Sequence, residues 1–282
     1  MTMHFSWGKR SKITAAAGLA VFSCAIAGIW MNSSPRPSAA DSVFFTIVPG
    51  ESADRVAAAL KKRGVIRSAL IFRIYAEATG AAERLNAGTY RISGGESMIS
   101  IAQQMIRGQV MVKRVVIPEG FSVHEIASRL MQHHIGTGGQ WERIMHEQLA
   151  GMPAPSQEVR DPLEGFLFPA TYSFPWHTSV RQAVAIMWQT FQQKALPLYN
   201  RKHLTLSVTQ WVTLASIVQA EAPNTASMPL VAAVFLNRLH QNMDLQSDAT
   251  VRYALGRDVK NSLTVTDLAV PSPFNTYSHA GL

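Results

Sequence analysis

The sequence predicts an α+β protein in which an N-terminal membrane helix precedes two domains of mixed helices and strands. Three observations predict this architecture: an uncharged apolar run near the start, a strand–turn–helix formula that occurs three times, and a capped apolar helix after Ser207. The chain has 282 residues, of which 47% are hydrophobic and 16% charged. This composition supplies one large or two modest cores and excludes intrinsic disorder.

The first predicted element is a transmembrane helix over residues 13–31. This run of 19 residues carries no charge, and a helix needs ~20 residues to cross a bilayer. Lys9, Arg10 and Lys12 precede the run, so residues 1–12 are expected to form a cytoplasmic tail.

A linker rich in Ser and Pro follows over residues 32–41. Residues 42–282 are then expected on the outer side of a cytoplasmic membrane. A cleaved signal peptide is the alternative to an anchor, because small residues at 38–40 suit a signal peptidase. Either way the bulk of the chain lies outside the cytoplasm, so the net charge of +8 indicates an acidic partner other than nucleic acid.

A repeated formula predicts the next elements, because a turn glycine and a capping serine precede apolar residues at helical spacing. The formula is G-x-S-x-x-x-[VI]-A-x-x-[LM], with copies that begin at Gly50, Gly95 and Gly120. Small units of this kind occur in domains that bind cell-wall glycans and also in ordinary α+β cores. We assign residues 42–115 to a small domain and residues 116–282 to a second one.

Sequence signals for several chemistries are missing. The single Cys24 excludes a disulfide framework and multi-cysteine metal sites. Two His-Glu pairs do not extend to H-E-x-x-H, because Ser128 and Ala150 occupy the position of the second histidine. No phosphate loop, dinucleotide fingerprint or G-x-S-x-G elbow is present. We therefore expect neither a metal nor a cofactor.

The most informative carboxyl group belongs to Glu221. A capping box at Ser207–Gln210 starts a helix, and Pro223 predicts its end. Helical spacing then places Glu221 on the apolar face of Leu214 and Ile217. Desolvation and the helix dipole both disfavour the anion there, so we expect a protonated carboxyl suited to general acid catalysis. A frayed helix end that turns this acid to water is the alternative.

The segment after this helix is less specific. A further helix capped by Ser227 is expected to place five apolar side chains on its inner side: Leu230, Val231, Val234, Phe235 and Leu239. The polar stretch at 245–253 could line a cleft, and by itself it fits a turn and a strand equally well.

Six segments together resemble the YceG-like endolytic murein transglycosylases. Their order and spacing agree with that family from the membrane helix to the last residue. The segments are P-E-G at 118–120, L-E-G-F-L-F-P at 163–169, L-A-S-I-V-Q-A-E-A at 214–222, V-F-L-N-R-L at 234–239, L-Q-S-D at 245–248 and N-T-Y at 275–277.

The resemblance implies a periplasm-facing membrane enzyme with a LysM-like glycan-binding domain and a catalytic domain. The implied reaction cuts nascent peptidoglycan strands between N-acetylmuramic acid and N-acetylglucosamine and leaves 1,6-anhydromuramyl ends. The family's catalytic glutamate falls on Glu221, which acts as general acid and then as base. The implied partners are glycan strands, the membrane and peptidoglycan synthases, although no motif identifies a synthase.

The resemblance also implies a substrate-binding cleft. We place five side chains in it, with support of the fold as the alternative role for each: Glu164, Gln246, Asp248, Asn275 and Tyr277. A hydrolase that pairs Glu221 with Asp248 is a further hypothesis, because hydrolases of this kind use two carboxyl groups.

The chain departs from the family pattern at several positions. Gln219 stands where many members have a second Glu, Ala170 where an Asp is usual, and Ala249 where a Pro is usual. Family sequences also continue beyond the position of Leu282. The competing hypothesis is therefore a truncated relative, a membrane protein that binds peptidoglycan without cutting it.

Overall fold

The computed structural model describes residues 28–30, 32–36, 41–147, 151–152, 161–201, 205–256 and 262–282. Its mixture of helices and strands confirms the α+β class. The chain divides into two compact units, of which the first is Met1–Lys113 with Pro175–His177 and the second is Arg114–Phe174 with Thr178–Leu282. The division that we expected lies between residues 115 and 116.

The proposed tail at 1–12 and transmembrane helix at 13–31 fall outside the described residues, apart from 28–30. Among the helices that are described, none has the length and apolar character needed to cross a bilayer.

The first unit combines a two-stranded sheet with helices. Its two strands pair antiparallel, with Phe45 opposite Tyr90. Both of these side chains are buried, and they pack with Leu60, Phe72 and Met105 in one apolar core. The elements are β1 (Val43–Ile47), α1 (Ala53–Lys62), α2 (Ala69–Ala78), β2 (Gly88–Ile92) and α3 (Met98–Ile106).

From Val112 onward the described chain is mostly helical. The two strands of this part form their own sheet, and a short 3-10 turn lies at Thr225–Ser227. The elements are β3 (Val112–Val116), α4 (Val123–Gln132), α5 (Gly138–Met145), β4 (Thr171–Pro175), α6 (Val180–Lys194), α7 (Leu196–Arg201), α8 (Val208–Glu221), α9 (Met228–His240), α10 (Asp248–Leu255) and α11 (Val265–Leu268).

The repeated formula predicted its three turns correctly. Gly50, Gly95 and Gly120 have φ of 79°, 81° and 79°, a region that favours glycine. In each copy the following serine caps a helix by accepting a backbone N–H three residues on. The apolar positions of the formula are buried in α1, α3 and α4.

Two expectations about the C-terminal elements were wrong. Of the five side chains expected on the inner side of α9, Leu230 and Val234 are exposed, whereas Phe235 is buried and Val231 and Leu239 are partly buried against the same cluster. The stretch expected as a turn and strand instead forms α10, which begins at Asp248. This helix is hard to predict from the sequence, because only Val251 in it is buried and it therefore has no apolar stripe.

The second unit contains two apolar clusters. The larger one includes Val115, Leu130, Trp141, Phe174 and Trp188. The smaller one joins α8 to α9 and to the chain before α10, through Leu214, Ile217, Phe235 and Leu245. This smaller cluster fixes the position of the C-terminal end of α8.

Candidate active site

The local sequence sets both ends of α8. The Ser207 hydroxyl accepts the Gln210 N–H at 3.2 Å, and the Gln210 side-chain oxygen accepts the Ser207 N–H at 2.9 Å. This reciprocal capping box starts the helix. Ala222 is extended, with φ −78° and ψ 124°, as expected for the residue before Pro223. Glu221 is therefore the last residue of α8, as the sequence predicted.

The carboxyl group of Glu221 is not buried, so the expected desolvation is wrong. The residue is exposed, because the chain leaves the helix at Ala222 and no further turn covers the side chain. Its Oε1 accepts the hydroxyl of Ser247 at 2.6 Å and, at 3.4 Å, the backbone N–H of Ala249. The start of α10 therefore holds the acid at the end of α8.

Ser247 is itself fixed from several directions. It is 1% exposed, and its N–H donates to Thr276 Oγ1 at 3.0 Å. Its carbonyl accepts the Thr250 hydroxyl at 2.8 Å, and the two threonine hydroxyls lie 2.8 Å apart. Gln246, just before it, has φ of 52° and donates its N–H to the Thr276 carbonyl at 2.9 Å.

Asp248 and Tyr277 form a second polar pair beside Glu221. The Tyr277 hydroxyl donates to Asp248 Oδ1 at 2.7 Å. This hydrogen bond raises the pKa of Tyr277, and burial and the negative charges of Asp248 and Glu221 raise it further, while Arg238 acts in the opposite sense. The pair, Glu221 and Arg238 thus lie close enough to share one electrostatic environment.

Asn275 supports this region from inside the fold. It is fully buried, and its amide donates to the Leu268 and Val270 carbonyls, both at 2.9 Å. Its side-chain oxygen accepts the Tyr277 N–H at 3.0 Å. These contacts use the amide to shape the loop that carries Tyr277.

Glu164 lies at a different place in the second unit. Its two carboxyl oxygens accept the Val123 N–H, at 3.2 and 3.3 Å, so the group caps the start of α4. Burial is the main cause that raises its pKa to about 7; Asp161 and Glu125 also raise it, whereas the Val123 and Gly165 N–H groups lower it. Within the described chain its hydrogen bonds do not reach Glu221, Ser247 or Asp248.

Three polar residues of this region were not singled out in the sequence: Ser247, which donates to Glu221, and Thr250 and Thr276, which hydrogen-bond to Ser247. Ser247 stood inside a recognised segment, between two residues that were assigned to the cleft. Nothing local shows that a serine 26 positions after Glu221 donates to its carboxylate, because the contact depends on how α10 packs against α8.

The described residues contain no group of three or more His, Cys, Asp or Glu side chains that could hold a metal ion. The chemical capacity of the site therefore lies in one accessible carboxyl group with a fixed orientation, next to an Asp–Tyr pair. Such a group can donate a proton and take one back.

Fold and site together define an α+β protein with an exposed glutamate held in place at a helix end. Comparison with known proteins gives the family. A sequence model of the YceG-like family matches residues 45–282, and the chain belongs to that family.

Two characterised relatives are named endolytic murein transglycosylase. The Bacillus subtilis relative is 31% identical over 256 residues, which cover 86% of this chain and 71% of the relative. The relative from Streptococcus pneumoniae D39 is 28% identical over 265 residues, which cover 84% of this chain and 48% of the relative. The chain thus spans about half the length of the pneumococcal protein.

A solved structure is also similar. The crystal structure of a yceG-like protein from Listeria monocytogenes superposes with a TM-score of 0.53 and 30% sequence identity. The match covers 86% of this chain and 84% of the Listeria chain.

Proposed function

We propose that this protein is an endolytic lytic transglycosylase that cuts peptidoglycan strands between N-acetylmuramic acid and N-acetylglucosamine. The observation that carries the proposal is the Glu221 carboxyl, exposed at a helix end and held by a buried serine. The activity named for the Bacillus and pneumococcal relatives supports it.

The reaction needs only one carboxyl group from the protein. Protonated Glu221 gives its proton to the glycosidic oxygen, and the bond from that oxygen to the muramyl C1 breaks. The carboxylate then takes the proton of the muramyl C6 hydroxyl, whose oxygen attacks C1 and closes the 1,6-anhydro ring. Glu221 ends protonated again and no water is consumed.

A hydrolase would instead need a second carboxyl group, ~5 Å away in a retaining enzyme or ~6.5–9.5 Å in an inverting one. Asp248 is the candidate, and it already accepts the Tyr277 hydroxyl at 2.7 Å. We assign this pair, with Gln246 and Asn275, to binding and shaping the cleft. Glu164 caps α4, so contact between Glu164 and substrate stays a prediction.

The proposal gives the first unit a glycan-binding role, as in a LysM-like domain. Phe44 and Trp176 are 54% and 38% exposed, and their rings lie nearly parallel, 6.4 Å apart between centroids and 7° between planes. The Lys113 ammonium lies 5.3 Å from the Trp176 centroid. Flat exposed rings beside a cation suit a sugar polymer that carries carboxylates.

This binding role is tested by sedimentation of the full chain with purified sacculi. Trp176→Ala should weaken binding about fivefold, which corresponds to roughly 1 kcal/mol of lost ring contact. Leu230→Ala is the matched control, because Leu230 is an exposed apolar side chain of the second unit. Unchanged binding by Trp176→Ala, or an equal loss with anionic lipid vesicles, would remove the glycan assignment.

The location of the enzyme follows from the sequence alone. The apolar run at 13–31 anchors the protein in the inner membrane with residues 1–12 in the cytoplasm, and the rest works in the periplasm. Peptidoglycan synthases are natural neighbours for an enzyme that cuts new strands. Protease accessibility in spheroplasts tests this topology, and digestion from the cytoplasmic side only would reject it.

The proposed reaction is tested by mass spectrometry of products released from uncross-linked glycan strands. Internal cuts with 1,6-anhydromuramyl ends are expected. Reducing muramyl ends would indicate a hydrolase, and binding without release would indicate a non-catalytic peptidoglycan-binding protein.

A further inference from the structure

Ser247 occupies the N-cap position of α10, where a serine side chain ordinarily caps the helix. It is the residue that precedes α10, and a serine there usually accepts a backbone N–H from the first turn of the helix. The Ser247 side chain makes no such cap. Its hydroxyl instead donates to Glu221 Oε1 at 2.6 Å, so the ordinary stabilisation of the helix start is forgone.

The residue before Ser247 also has a strained backbone conformation. Gln246 is not a glycine, yet its φ of 52° lies in the left-handed region, where most side chains are disfavoured. Such conformations persist only where the surrounding structure enforces them, and they cluster at functional sites. Here the enforcing contacts are those of Gln246 and Ser247 with Thr276.

The hydrogen bond from Ser247 restricts the orientation of the Glu221 carboxyl group, as proton transfer in a fixed geometry requires. An exposed glutamate at a helix end samples several rotamers, whereas Oε1 is held by the hydroxyl and, more weakly, by the Ala249 N–H at 3.4 Å. In the described part of the chain, Oε2 accepts no hydrogen bond. The two oxygens of the carboxyl group are therefore not equivalent.

We propose that Ser247 is the positioning residue of the active site: it fixes Oε1 so that Oε2 is the oxygen that delivers and recovers the proton. The inference rests on the proposed function and deepens it. A hydroxyl can donate to the carbonyl oxygen of the protonated acid and to the carboxylate, so the contact persists through both steps. The proton leaves Oε2 for the glycosidic oxygen, and the C6 hydroxyl proton returns to Oε2.

The test compares full-length wild type with Ser247→Ala on uncross-linked glycan strands. The variant should lose about 10–100-fold in kcat, the size expected when a reacting group is misplaced, with KM changed less than about twofold because Ser247 is buried away from substrate. Because KM is nearly unchanged, the loss falls on the chemical step, which a lost substrate contact would not produce.

Two further variants keep the test decisive. Ser216→Ala is the matched control, because Ser216 is an exposed serine of α8 whose hydroxyl donates to the Thr213 carbonyl of that helix; it should behave as wild type. Ser247→Cys keeps the side chain close in size but donates weakly, so it should also lose kcat while remaining folded. Wild-type kcat in both Ser247 variants would overturn the proposal, as would a loss of kcat matched by an equal loss on substitution of Ser216.

The outcomes separate this inference from the proposed function. If wild type releases no anhydromuramyl ends, or if Glu221→Gln still does, the proposed function fails. If wild type releases anhydromuramyl ends and Glu221→Gln does not, the proposed function holds. A fully active Ser247→Ala would then reject only the role of Ser247.

Discussion

The two glutamates that the sequence singled out lie in opposite surroundings. Glu221 is exposed and accepts a hydroxyl, so its carboxyl group is accessible from solvent. Glu164 is half-buried on the start of α4, among Asp161 and Glu125, and its pKa is raised to about 7. The first suits proton transfer, whereas the second couples protonation to the stability of the fold.

The raised pKa of Glu164 predicts a pH-dependent stability. Its folded value of about 7 exceeds the ordinary 4.5, so the native state binds the proton more tightly than the unfolded chain. The contribution is fully present below the ordinary value and is lost as pH rises through about 7. Between pH 5 and pH 8 it should lower the free energy of unfolding by on the order of 2 kcal/mol.

Urea unfolding of wild type and Glu164→Gln across this range measures the effect. The variant should lose most of this pH dependence, because the amide that replaces the carboxyl group cannot ionise. Glu142→Gln, which changes an exposed glutamate on α5, should retain the wild-type slope. Equal slopes in wild type and Glu164→Gln would contradict the account.

The sequence could indicate Glu221 but not its partner. The capping box and Pro223 fix the ends of α8 locally, so the last residue of that helix is readable from neighbouring residues. Ser247 meets Glu221 only because Gln246 adopts a left-handed conformation and Thr276 receives the two N–H groups. Those contacts join segments about 30 residues apart, which no local pattern encodes.

At the scale of elements, similar turns differ in what surrounds them. Gly120 and Gly165 have nearly identical φ, 79° and 80°. A side-chain carbon on Gly120 would meet only Gln219 Oε1, at 4.0 Å, whereas one on Gly165 would lie 2.5 Å from Val212 Cγ1 on α8. The turn at Gly165 is therefore the point where the L-E-G-F-L-F-P segment packs directly on α8.

This difference predicts unequal effects of alanine. Both Gly120→Ala and Gly165→Ala should lose about 1 kcal/mol of stability to the left-handed conformation. Gly165→Ala should lose roughly 1–3 kcal/mol more through overlap with Val212. Urea unfolding gives both values, and the double variant with Val212→Ala should recover part of the extra loss. Equal destabilisation by the two single variants would show that the close approach is absent.

The elements with strong local signals were the predictable ones. The three copies of the formula place Gly, Ser and apolar residues in the order that a turn, cap and helix require, and the structure has all three. α10 lacks such signals. The serine at its N-cap position donates to Glu221 and does not cap the helix, and its single buried residue gives no apolar stripe. The face of α9 that carries Leu230 was assigned inward because apolar character does not reveal which face is covered.

At the scale of the molecule, the two units have separate apolar cores. Leu60 belongs to the first core and Leu130 to the larger cluster of the second, and both are fully buried. The sequence indicated a small repeat-built domain that ends near residue 115. It could not indicate that Pro175–His177, which carries Trp176, belongs to the first unit, because that depends on long-range backbone pairing.

Separate cores predict separate responses to cavities. Leu60→Ala and Leu130→Ala should each cost ~2–5 kcal/mol. Hydrogen–deuterium exchange should rise in α1 and α3 for the first variant, and in α4 and α6 for the second. Faster exchange throughout both units in either variant would show that the cores unfold as one.

The central claim is that Glu221 alone performs the acid–base chemistry of glycan cleavage. Its most direct test is mass spectrometry of strand ends released by the full chain, by Glu221→Gln and by the matched Glu142→Gln. The account predicts 1,6-anhydromuramyl ends from wild type and Glu142→Gln, and a loss of at least about 100-fold with Glu221→Gln. Anhydromuramyl ends released by Glu221→Gln at the wild-type rate would contradict it.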